Sequence, residues 1–190
     1  LNFCTVDLSS FYFDIRKDTL YCDLKSSKKR ASCIQVLNVI VNCLLKWFAP
    51  ILTFTTEEIY KIVNKNGMSI HLENFPKIPK KWENKFLEDK WLELIKIRDH
   101  CNISIETKRA EKIIGSSLEA KVDIKLNSKL YKKFHDFDFE ELLITSKVDV
   151  SEDSSISNSF LASTSKANGK KCPVCWKIRE IKCERHGDLT

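Results

Sequence analysis

From Arg30 to Phe48 apolar residues recur on every side of a helical wheel, among them Ile34, Val36, Leu37, Ile40, Leu44 and Trp47. A helix apolar all round belongs at the centre of a bundle. It should stop before Ala49-Pro50, since proline disfavours the α conformation in the residue before it. Thr55, with Glu58 three residues on, has the spacing of a capping box and predicts a second helix, ending near Asn66-Gly67. Beyond a connector holding Pro76 and Pro79, residues 83–114 place Leu87, Trp91, Leu94, Cys101 and Ile105 close to one helical stripe. Arg98 and Arg109 read as solvated charges at its edge, and Gly115 as its C-cap.

From about residue 118 the period changes from that of a helix to two. Residues 118–126 alternate apolar and polar strictly, the mark of a half-buried strand. A short helix through Leu130 and Phe134 and a strand over 142–150 are expected next. The polar, Ser-rich stretch 151–165 reads as a loop with a short strand through Phe160 and Leu161. There is no internal repeat and no sustained heptad. The pattern is mainly α, with three segments: a helical bundle over 1–115, a small α/β junction over 116–168 and a ribbon over 169–190.

Composition narrows the class. With 190 residues, 43% hydrophobic and 31% charged, the chain is large enough for a real core and is not wholly disordered. Only four Gly and four Pro exclude collagen-like or linker-dominated architecture. No basic stretch followed by an apolar run opens the chain, and the missing initiator Met suggests a piece of something longer. The most apolar run, Cys33 to Leu45, falls short of the ~20 residues a membrane span needs and carries Gln35, Asn38 and Asn42. A soluble, cytoplasmic monomer with no membrane partner is expected.

Of eight cysteines, five stand singly in helical patterns and read as small apolar residues. The other three, Cys172, Cys175 and Cys183, crowd together with His186 near the carboxyl end. Their spacing is Cys-x2-Cys, seven residues, then Cys-x2-His. Two close pairs joined by a short loop can reach the corners of one tetrahedron, and thiolates with an imidazole suit zinc. Four protein ligands leave no open position, so the expected zinc is structural, one per chain. It would supply most of the folding energy of a ribbon with almost no core. A redox Cys-x-x-Cys is the rival, but no βαβ context accompanies it. His186 is the fourth ligand unless further ligands lie beyond Thr190.

Charge concentrates in the same place. The last 25 residues hold seven basic and three acidic side chains, a net +4 within the chain's total of +6. Trp176 follows the second cysteine directly, with Lys171, Lys177 and Arg179 close by. A metal-held basic ribbon bearing an aromatic suits single-stranded RNA, where bases stack on rings and cations meet phosphates. Packing of Trp176 against the neighbouring sheet is the alternative. There is no glycine-rich phosphate loop, no Gly-x-Ser-x-Gly elbow and no His-Glu-x-x-His, and His71, His100 and His135 lie far apart. The residues carry no catalytic site.

Four stretches bear a family resemblance, in the family's own order. Residues 11–21 (F-Y-F-D-I-R-K-D-T-L-Y), 47–60 (W-F-A-P-I-L-T-F-T-T-E-E-I-Y), 112–120 (K-I-I-G-S-S-L-E-A) and 172–176 (C-P-V-C-W) resemble motifs in the carboxyl-terminal portion of bacterial-type isoleucyl-tRNA synthetase, a class I aminoacyl-tRNA synthetase. The resemblance implies an anticodon-binding helical bundle, then an α/β appendix and zinc ribbon contacting the anticodon loop of isoleucine tRNA. It further implies that the parent enzyme uses ATP to attach isoleucine. The H-I-G-H and K-M-S-K-S signatures of that chemistry are missing, so this chain should bind tRNA without aminoacylating it. It departs from the family in having His186 for a fourth cysteine, a gap of seven between the pairs, and Val174 where many relatives carry a basic residue. A free-standing zinc-containing RNA-binding protein, and a zinc-stabilised interaction module without an RNA role, are the other readings.

Overall fold

The computed structural model describes residues 2–65, 67–156 and 160–188. They form two compact units, one of residues 19–84 and one joining residues 1–18 to 85–190. This division follows packing, and it differs from the three expected segments because the long helix after the proline connector joins the sheet.

In the unit of residues 19–84, α2 (Lys28–Phe48) is capped by Ser27, whose hydroxyl accepts from the Arg30 amide. It meets α3 (Thr53–Val63) around a small core of Leu45, Ala49, Tyr60 and Ile70. α2 was expected at a bundle centre. Within this chain only Cys33, Cys43 and Leu45 of it are buried, and Ile34, Val36, Val39, Val41, Trp47 and Phe48 are exposed. By length and composition the whole helix is long and apolar enough to cross a membrane, a point that the shorter run Cys33–Leu45 did not reveal.

The expected capping box also fails. α3 starts two residues before Thr55, without a side-chain cap, and Thr56 bonds back to the Leu52 carbonyl. A carboxylate that does cap something is Glu57, which accepts from the Ser69 hydroxyl and the Ile70 amide. These contacts and the Lys61 ammonium hold the Glu57 carboxyl below its usual range, Lys61 contributing most. α3 ends at Val63, and Asn66 lies outside the described residues.

The other unit begins with a π-helical stretch, Phe3–Phe13, which runs into α1 (Asp14–Cys22), a helix whose residues from Thr19 on belong to the unit of residues 19–84. Its main helix is α4 (Lys85–Ala110), which buries Leu94, Ile97, Cys101 and Ile105 as one stripe. Leu87, expected in that stripe, is exposed. Arg98 is no solvated charge: its Nε donates to the Leu142 carbonyl and its guanidinium lies over the Phe11 ring. Lys112, with φ 57°, takes the left-handed position closing α4, while Gly115 donates its amide to Glu119.

β1 (Ala120–Leu126) is the half-buried strand expected, with Ala120, Val122, Ile124 and Leu126 on the core side. α5 (Ser128–Phe134), capped by Asn127, follows it. The segment expected as one strand over 142–150 is split. α6 (Phe139–Leu143) ends in left-handed Ile144, and only then does β2 (Lys147–Glu152) begin. Phe139, Leu142 and Leu143 are all buried, a spacing one turn of helix supplies and a two-sided strand does not. β3 (Phe160–Lys166) is longer than the short strand expected, because it pairs with β1 along its whole length. β1 is central, parallel to β2 and antiparallel to β3. The architecture is mainly helical, with a small mixed sheet after it.

Candidate metal centre and nucleic-acid interface

After β3 the chain forms two miniature hairpins: β4 (Lys170–Lys171) with β5 (Ile178–Arg179), and β6 (Lys182–Cys183) with β7 (Gly187–Asp188). Each turn presents two of the expected ligands. In the first, the Cys172 amide donates to the Lys177 carbonyl at 2.9 Å and the Trp176 amide to the Cys172 carbonyl at 3.0 Å. In the second, the His186 amide donates to the Cys183 carbonyl at 3.2 Å. Of the described residues from 169 onward, the buried ones are the three cysteines and Lys177. No apolar core holds the hairpins, as their composition predicted.

The four ligand atoms lie within 4.8 Å of one another. Cys175 Sγ is 3.8 Å from Cys183 Sγ, and His186 Nδ1 is 3.3 Å from Cys183 Sγ and 3.5 Å from Cys172 Sγ. A tetrahedral zinc with ~2.3 Å bonds to sulfur and ~2.0 Å bonds to nitrogen requires about 3.8 Å between sulfurs and about 3.5 Å between sulfur and nitrogen. The donor set and spacing fit that ion. Burial works against ionising Cys172, but the Cys175 and Val174 amides, with Cys175 and His186, outweigh it and bring its thiol down to about 6. Burial likewise opposes the Cys183 thiolate, and the Arg185 and His186 amides overcome it. Cys175 goes the other way, raised chiefly by burial.

The neighbouring side chains sort into two groups. Trp176 is 58% exposed, and the Lys171 ammonium sits 5.2 Å from the centre of its ring. Its backbone has φ 63°, a left-handed conformation that suits glycine and is rare for a bulky residue. The turn therefore holds an aromatic in the open at a conformational cost. Lys177 and Arg179 face the other way. Lys177 is 8% exposed with its ammonium 3.7 Å from Glu140, and Arg179 Nη2 donates to the same carboxylate at 2.9 Å. Arg179 Nη1 also donates to the Ser146 carbonyl. Both were expected to meet RNA phosphates; in the structure both are engaged with Glu140.

Glu140 and Ser146 form the seat of the ribbon, and sequence reasoning missed them. The Ser146 hydroxyl donates to the Leu118 carbonyl and accepts from the Ile178 amide at 2.6 Å. A Cβ at Gly169, where φ is 125°, would collide with the Arg179 carbonyl. Nothing in the local pattern marks Glu140 or Ser146, because their partners lie 28 to 39 residues away.

Residues 1–124 match the family model described as the anticodon-binding domain of tRNA ligase, and the chain belongs to that family. Within it, the chain is 59% identical over 188 residues to an isoleucine–tRNA ligase of Pelagibacter ubique, covering 99% of this chain and 21% of that protein. It is 42% identical over 187 residues to the isoleucine–tRNA ligase of Agrobacterium fabrum, covering 94% of this chain and 19% of that protein. To the isoleucine–tRNA ligase of Caldanaerobacter subterraneus it is 36% identical over 193 residues, covering 94% and 21%. The chain spans about a fifth of the length of these curated relatives.

Proposed function

We propose that this chain is the tRNA anticodon-recognition region of an isoleucine–tRNA ligase, a cytoplasmic class I enzyme that attaches isoleucine to its tRNA using ATP. The observation that carries the reading is continuity: one family match covers the helical part, and one relative matches from end to end at 59% identity. The chain holds neither adenylate-forming signature, so its task is to hold the tRNA while the activation chemistry proceeds elsewhere in the parent enzyme.

The ribbon contributes by shape and charge. Zinc on Cys172, Cys175, Cys183 and His186 would fix the turn that displays Trp176, and would do no chemistry itself, since four protein ligands close its coordination sphere. Unpaired anticodon bases splay outward and are read by stacking and edge hydrogen bonds. Trp176 offers the stacking surface and Lys171 the nearby cation. Lys177 and Arg179 act on RNA directly only by leaving Glu140, so their first role is to orient the turn. The exposed face of α2 fits a helix covered by other parts of a larger protein better than a bilayer span, since Gln35, Asn38 and Asn42 interrupt it.

The test is binding of the full chain to isoleucine tRNA and to a tRNA of different anticodon, at two salt concentrations. Preferential binding of isoleucine tRNA, with protection of its anticodon loop in a footprint, is expected. Equal binding of both, vanishing together at high salt, would reduce the chain to a nonspecific cation. ATP–pyrophosphate exchange with isoleucine should stay at background.

A further inference from the structure

The two hairpins do not close flush on the sheet. Between them and the start of the β1–β2 pair lies a crevice of about 440 Å³, within the size range of small-ligand sites. Ile178 and Ala167 give it apolar surface, and Ile181 stands at its rim. Ile181 is 87% exposed, between β5 and β6, and neither the Cys3His cluster nor the Glu140 seat uses it. Among the described residues, an isoleucine so open in a ribbon without a core has little of its own chain to cover it.

The charges around the crevice narrow its occupant. Lys121 is held by Asp149 and Asp123, and Arg179 by Glu140. Among the described residues that leaves two ammoniums, Lys147 and Lys182, and two carboxylates, Glu180 and Glu184, beside the Asn168 amide. Their sum is zero. A phosphate asks for an excess of cations and a metal ion for an excess of carboxylates. An uncharged planar group with apolar faces and a rim of donors and acceptors meets the mixture as it stands. A nucleobase is such a group.

We propose that this crevice receives one unpaired RNA base, at a site separate from the ring of Trp176. The proposal rests on the tRNA-binding reading above and gives that surface a second base position. Ile178 follows Trp176 by two residues, at most ~7 Å of backbone, so a single RNA loop can reach both. Ile181 would cover a face of the base, and Asn168 with the free charges would meet its edge.

Two measurements on the full chain, purified without chelator, test this. In the first, each of the four ribonucleosides is titrated into 15N-labelled protein. Shifts of the Ile178, Ile181 and Asn168 backbone amides, with a preference among the four, are expected. In the second, Ile181→Ser and Asn168→Trp, both at exposed positions, are compared with the parent chain for binding to the isoleucine tRNA anticodon stem-loop. A loss of about tenfold is expected for each, in the range of one base contact, with metal content and circular dichroism unchanged. If the parent binds the stem-loop, both variants bind it equally well and no nucleoside moves those amides, the crevice proposal is overturned and the tRNA reading stands. If nucleosides shift the crevice amides yet the parent chain ignores the stem-loop, the crevice is upheld as a base site and the tRNA reading falls.

Discussion

Arg179 and Glu140 lie 39 residues apart in the chain and 2.9 Å apart in space, and through this contact the metal-binding turn is tied to α6. The same carboxylate faces the buried Lys177 ammonium. Glu140→Gln keeps the shape and removes the charge that balances both cations. It should lower stability by about 1–3 kcal/mol, the usual cost of stranding a part-buried ion. Urea denaturation monitored on the unit that joins residues 1–18 to 85–190 measures this. A change within 0.3 kcal/mol would show the pair to be ornamental.

Metal removal makes a second prediction. With three cysteines and one lysine as the buried ones among the ribbon's described residues, its folding depends on the ion. Elemental analysis should find about one zinc per chain. Stripping with a chelator, or Cys183→Ala, should erase the ordered amide signals of residues 170–188 and leave those of Val122, Ile124 and Phe139 in place. Metal-free protein with an intact ribbon spectrum would refute the assignment.

Trp176 allows stability and binding to be separated. Trp176→Ala should weaken isoleucine tRNA binding by roughly 1–3 kcal/mol, the worth of one base–aromatic stack. Trp176→Gly should lose the same binding yet gain up to about 1 kcal/mol of stability, because glycine adopts φ 63° without strain. Should both variants bind normally and unfold more easily, the tryptophan is a packing residue. Lys171→Ala should weaken binding to many RNAs alike and flatten its salt dependence, as a phosphate contact does.

Cys101 supplies a pH prediction. Burial pushes its thiol up from 9.0 to about 12. The folded state thus keeps a proton that the unfolded chain gives up near pH 9. Its stabilising share is complete below pH 9 and is lost as pH rises toward 12, at up to ~1.4 kcal/mol per pH unit. Alkaline titration of the unfolding free energy should show this slope and Cys101→Ala should reduce it. At pH 8, iodoacetamide should reach Cys101 only when the whole unit opens.

Much of this molecule follows from short-range pattern. The alternation over 118–126 specifies β1 and its buried face, because a side-chain period of two leaves one side to bury. The Cys/His spacing specifies the cluster, because two turns each place two donors within a few ångström whatever surrounds them. Local order also marks Trp176 as the aromatic beside a ligand. Other features needed the folded chain. Residues 142–150 look strand-like in isolation, but burial of Phe139, Leu142 and Leu143 against α4 and the sheet selects a helical turn first. The apolar circumference of α2 says that it seeks cover, and only the packing shows how few of its side chains find it within this chain. The roles of Lys177 and Arg179 were the least legible. A basic residue near a cysteine pair reads as an RNA contact by composition alone. Whether it points to solvent or to a carboxylate depends on a glutamate 37 to 39 residues away, a separation that no local period encodes.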